Sequence, residues 1–177
     1  MDPAARKLAL VQLILGPAVL GSYVWCLSVW PEASSQMWGG VPESIQPLYT
    51  LWMFVAAAGY FAYTYVFLFK TKPEQTKVLG RGYGVLSLLY ILMLLPSALW
   101  MPMTKWLLED PSALRFWLVR LDLFAVALGS LGLIAAAASL EPRPPGRLRT
   151  IAIVGAVAFS VQTVVLDAII WPWLWHA

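Results

Sequence analysis

The sequence predicts an all-α integral membrane protein: one bundle of five transmembrane helices occupying residues 1–177 as a single domain. Three observations lead there. Of 177 residues, 60% are hydrophobic and 12% charged, whereas soluble domains carry about 45–50% apolar and about 25% charged residues. Apolar stretches lie near residues 8–30, 48–69, 84–107, 115–139 and 150–171, each long enough to cross a core of about 30 Å at about 1.5 Å per residue. Nine of the 12 basic residues (Arg6, Lys7, Lys70, Lys72, Lys77, Arg81, Arg143, Arg147 and Arg149) fall before the first stretch or in the second and fourth connections, all on one side of such a bundle. Positive residues mark the cytoplasmic side, so the N-terminus is expected inside and the C-terminus outside, as in a bacterial inner membrane or its equivalent.

The same figures exclude other classes. A single cysteine permits no disulfide framework, and a single histidine, His176, makes an intramembrane bis-histidine haem or histidine metal site improbable. No Gly-rich phosphate loop, nucleophile elbow or zinc-ligand spacing is present, so neither catalytic nor metal residues are expected. The net charge of +3 is what anionic headgroups and the orientation bias already account for, without a nucleic-acid partner.

The first stretch exceeds the roughly 7–15 residues of a signal-peptide core, and Trp25-Cys26-Leu27-Ser28 lacks a cleavage site, so a retained helix is expected. Pro17 breaks its ladder and frees the Leu13 carbonyl. Gln12 here and Gln162 in the fifth helix are candidates for hydrogen bonds between helices, while Cys26 reads as a small hydrophobe. The connection 31–47 combines Pro31, Gly39, Gly40, Pro42 and Pro47 with Met37, Trp38 and Ile45, and is expected to fold back onto the membrane surface. On the second helix Tyr60, Tyr63 and Phe67 form a packing stripe. In the third, Pro96 and Pro102 remove two donors and leave the Leu92 and Ala98 carbonyls free, so a kinked or locally unwound helix is expected, with Ser97, Trp100 and Thr104 beside the break. The inner connections are short and polar, and Pro142, Pro144, Pro145 and Gly146 stop the chain before the fifth helix.

Carboxylates enter the membrane on the last two helices. Asp122, Ala125, Gly129, Gly132 and Ala136 share one face of the fourth, and Ala152, Ala156, Ser160, Thr163 and Asp167 share one face of the fifth. A central charge costs about 2.5–3.5 kcal/mol on insertion scales, so both aspartates should point into the bundle. Counting in from the outer ends puts Asp122 roughly 10 Å and Asp167 roughly 8 Å deep, in one layer. Arg120 shares that layer but points away from Asp122, so a structural ion pair between Arg120 and Asp167 is expected, with Arg115 reaching the headgroups.

All ten tryptophans (Trp25, Trp30, Trp38, Trp52, Trp100, Trp106, Trp117, Trp171, Trp173 and Trp175) map to the outer half. Two readings stand: a one-sided interfacial belt, or rings lining an outward-facing pocket.

Size, five helices, tryptophan content and a long first outer loop together resemble the TspO/MBR family of tryptophan-rich sensory proteins. The residues that carry the resemblance are Leu48-Tyr49-Thr50-Leu51-Trp52, Pro96-Ser97-Ala98-Leu99-Trp100 and Leu166-Asp167-Ala168-Ile169-Ile170-Trp171. Of the family's double-proline segment before the second helix, only Pro42 and Pro47 have counterparts here. The resemblance implies a five-helix bundle that takes a porphyrin or another hydrophobic ligand.

The function expected is non-catalytic: binding or moving a porphyrin-, sterol- or lipid-like ligand in a pocket formed by Trp52, Ser97, Trp100, Thr104, Asp122, Thr163 and Asp167. The alternative is an accessory or assembly subunit, contacting membrane lipids and forming a homodimer or larger complex through its small-residue helix faces. An intramembrane enzyme using Asp122 and Asp167 as a carboxylate pair is a third class, with no nucleophile or metal ligand beside it.

Overall fold

A computed structural model describes residues 2–175; His176 lies outside the described residues. Five helices are long and apolar enough to cross a membrane: α1 (Pro3–Val29), α3 (Gln46–Phe69), α4 (Val85–Glu109), α5 (Ala113–Ala138) and a fifth spanning Gly146–Leu174. The fifth is composite. It starts as α6 (Gly146–Ser160), widens to a π-helix over Val161–Ile170 and closes in the short α7 (Trp171–Leu174). A short α2 (Ala33–Gln36) lies in the first connection, and a two-stranded hairpin, β1 (Lys77–Val78) and β2 (Arg81–Gly82), in the second.

Asp2 starts α1 by accepting hydrogen bonds from the Ala4 and Ala5 amides, and Ser112 starts α5 by accepting from that of Arg115. Both α1 and α4 run unbroken through their prolines, so the local unwinding expected in α4 does not occur. The Leu13 side chain is 70% exposed, which turns that freed carbonyl's face away from the other helices.

The packing order is α1 against α4, α4 against α5, α5 against the fifth helix, and the fifth helix against α3. Glycines permit close approaches between helices. A β-carbon on Gly129 would stand 2.9 Å from Met93 N, and one on Gly59 only 2.4 Å from the Gly155 carbonyl oxygen. Small residues admit such approach where apolar lipid supplies no hydrophobic drive between helices. The expected small-residue face of α5 is thus used inside the chain. By contrast α1 meets α3 sparsely; the Tyr60 hydroxyl, donating to Gln12 Oε1, joins them.

Connections 70–84 and 139–145 share the bundle end opposite the tryptophans. The hairpin turns on Leu79 (φ 54°) and Gly80 (φ 70°), two positive-φ residues that match the twist of the strands. Lys77 and Glu141 exchange backbone hydrogen bonds, and the Leu79 amide donates to Ser139 Oγ, tying the two connections together. Tyr83 anchors this end by donating to the Phe67 carbonyl at 2.6 Å. Burial pushes its phenol above the ordinary value of 10.0, the Thr71 hydroxyl opposing and Asp2 adding to the shift. An acid whose folded pKa is raised holds its proton longer folded than unfolded, so stability is complete below about pH 10 and falls as pH climbs above it. Thermal unfolding midpoints measured from about pH 9 to pH 11 should fall more steeply in the wild type than in Tyr83→Phe, which has no phenol to ionise.

Candidate functional site

The ten tryptophans gather where α1, α4 and the fifth helix end and α3 and α5 begin. Their rings divide between the two readings. Trp25, Trp106, Trp117 and Trp173 are exposed, as an interfacial belt requires, whereas Trp171 is buried and Trp100 and Trp175 are half-buried. Trp171 packs against Trp175 at 4.7 Å and Trp100 at 6.3 Å, and Trp100 continues to Tyr23 at 5.8 Å. An aromatic row therefore links the fifth helix, α4 and α1.

The first connection covers this end. It folds back and buries Ala33, Met37 and Val41. Trp171 Nε1 donates to the Met37 carbonyl at 2.9 Å, and Trp175 lies against Gly39, which adopts φ 57°. These contacts lie among residues whose chemistry the sequence left unassigned: a backbone carbonyl leaves no mark in composition, while Gly39 was visible as punctuation only.

The π-helix explains the polar arrangement beneath. Residues five apart stand about 140° apart on an α-helix but one turn apart on a π-helix. Gln162 Nε2 accordingly donates to Asp167 Oδ1 at 2.7 Å within the fifth helix, in place of the bond between helices expected of Gln162. Two α3 side chains bond to the fifth helix, Trp52 Nε1 donating to the Ala158 carbonyl just before the widened stretch at 3.1 Å and the Tyr49 hydroxyl to that of Leu166 within it at 3.3 Å.

The expected ion pair between Arg120 and Asp167 is not formed. Asp167 takes Gln162 as partner, and the Arg120 guanidinium stacks instead on rings of its own helix, 4.7 Å over Trp117 and 5.4 Å over Phe124. Thr163 Oγ1 donates to Ser130 Oγ at 2.8 Å, which fixes α5 beside the fifth helix in antiparallel fashion. The register that sets Gly129 against Met93 places Asp122 level with Trp100.

The other expected site residues take different parts. Ser97 bonds back to the Met93 carbonyl of its own helix at 2.7 Å. Thr163 joins α5 to the fifth helix. Trp100 Nε1, Thr104 Oγ1, Asp122 Oδ2, Gln162 Oε1 and Trp175 Nε1, by contrast, are buried and have no protein hydrogen-bond partner. The arrangement therefore combines an aromatic wall with buried donors and acceptors left uncommitted. No protein-family model matches the chain, and neither curated proteins nor solved structures yield a match.

Two surface grooves flank this layer. One, of about 530 Å³, runs along the start of α3 by Trp38, Gln46, Thr50 and Phe54; the other, of about 400 Å³, lies between α5 and the fifth helix beside Arg120. Among the described residues, no group of three or more His, Cys, Asp or Glu side chains is placed to hold a metal ion.

Proposed function

We propose that this protein is a non-catalytic membrane bundle, basic end cytoplasmic and tryptophan end outside, that binds a hydrophobic ligand carrying a hydrogen-bonding polar end. Porphyrin-, sterol- and lipid-like molecules have that chemistry. The observation that carries the reading is the buried polar atoms on Trp100, Thr104, Asp122 and Trp175 without protein partners. Each such atom costs about 1–3 kcal/mol, a cost a ligand's polar end offsets. The rings of Trp100, Trp171 and Tyr23 supply the apolar wall.

Access is sideways from the bilayer. The first connection covers the tryptophan end, whereas α1 buries no residue between Leu8 and Cys26 and meets α3 sparsely. The accessory-subunit reading leans on small-residue faces, and those at Gly129, Gly132 and Gly155 are filled by neighbouring helices of the same chain.

The test is thermal unfolding of the purified protein in detergent with porphyrins, sterols, carotenoids and lipids. A ligand at about 100 times its Kd should add about 2.7 kcal/mol of stability. Trp100→Ala and Asp122→Asn should abolish that gain while the unliganded variants remain folded. A panel in which no member shifts the midpoint defeats the proposal.

A further inference from the structure

Among the described residues, three cations stand at the tryptophan end. Lys105 pairs with Glu109 one turn along α4, and Arg115 pairs with Asp110 at 2.6 Å while donating to the Trp106 and Asp110 carbonyls. Arg120 differs from both. No carboxylate among the described residues lies within 4.0 Å of its guanidinium, and its Nε is buried without a hydrogen-bond partner.

Its surroundings hold it in place. The rings of Trp117, Phe124 and Phe116 lie 4.7, 5.4 and 5.9 Å from the guanidinium carbon. Aromatic faces stabilise the cation and take up its flat sides, which leaves the in-plane donor fork free to meet a planar or tetrahedral anion in two-pronged fashion. The groove of about 400 Å³ at this point is lined by Phe124, Ala168, Ile169, Pro172 and Trp173 together with Arg120. Ile169 is 54% and Trp173 79% exposed, so the groove opens sideways onto the apolar flank that a spanning helix turns to lipid. Arg120 is seven residues into α5, about 10 Å along its axis, at a depth a headgroup phosphate can approach.

We propose that this groove binds one anionic phospholipid, its phosphate on Arg120 and its acyl chains along Ile169 and Trp173. Charge complementarity selects the headgroup, and the sideways opening selects a lipid over a soluble anion. The groove opens on the outer flank of α5 and the fifth helix and does not use Trp100, Thr104 or Asp122, so its failure and that of the interior ligand are separately visible.

The experiment titrates phosphatidylglycerol, phosphatidylcholine or oleate into the full chain in neutral detergent, reading bound lipid by native mass spectrometry. Both lipids offer a phosphodiester to Arg120, but the trimethylammonium of phosphatidylcholine brings a like charge beside the guanidinium, so phosphatidylglycerol should bind about tenfold more tightly. Arg120→Gln should erase the preference. Ile169→Trp, which fills the groove from its exposed side and leaves Arg120 in place, should erase it too, and decides the question alone if Arg120→Gln does not fold. Equal binding of the two phospholipids, a preference that survives in both variants, or oleate binding as tightly as phosphatidylglycerol overturns the proposal.

Discussion

Replacing Gly59 with valine is expected to force α3 away from the fifth helix and lower stability by about 3 kcal/mol, the upper part of the range for overpacking. The reason is that the obstacle is backbone. A β-carbon at Gly59 would stand 2.4 Å from the Gly155 carbonyl oxygen and 3.3 Å from its Cα, and no rotamer change relieves a collision with main chain. The contact is reciprocal, since a β-carbon at Gly155 would lie 2.7 Å from the Gly59 carbonyl oxygen. Gly155→Val should therefore cost about as much, and the double variant much less than the sum, because both remove one contact. Gly21, whose β-carbon would meet nothing within 4 Å, provides the control: valine there should change stability by no more than about 0.5 kcal/mol. Unfolding in a fixed detergent measures all four. Parting the helices also pulls Trp52 and Tyr49 from the carbonyls they cap, so the π-helix and the placement of Asp167 should be disturbed with them.

Gly39→Val should be nearly as damaging, for a different reason. At φ 57° the backbone occupies the left-handed region, which costs an L-residue about 1–2 kcal/mol, more for a β-branched one. The new side chain would also meet Trp175, whose Cε3 lies 2.6 Å from the β-carbon position. Together these should lower stability by about 3 kcal/mol or displace Trp175 and loosen the connection above Trp171. Unfolding measures the first outcome and tryptophan fluorescence the second. The variant also bears on access. With sideways access the ligand association rate should stay near the wild-type value, whereas a large increase would show that the covering connection is the barrier.

Much of the architecture was legible because hydrophobic length and small-residue spacing are local properties. The five stretches found the five helices to within a few residues, and the three-and-four spacing of Gly129, Gly132 and Ala136 marked the face that meets α4. The Gly59–Gly155 contact was not legible, since neither glycine repeats along its helix. The Arg120 assignment failed on a general rule, that a buried cation seeks a carboxylate. Phe116, Trp117 and Phe124 stood four before, three before and four after it, and that spacing was the available sign of a stacked guanidinium. Gln162 and Asp167 were both singled out but not as a pair, because an α-helical count turns residues five apart to different faces.

The amino-acid order by itself determined that the chain is helical, how many apolar stretches it has, and that basic residues and tryptophans segregate to opposite ends. These follow from composition along one coordinate, depth. Only the tertiary structure decided which polar atoms meet and which remain uncommitted. That depends on a second coordinate, the angle around each helix, and a single π-helical stretch or a two-glycine contact resets it without changing any residue's depth class.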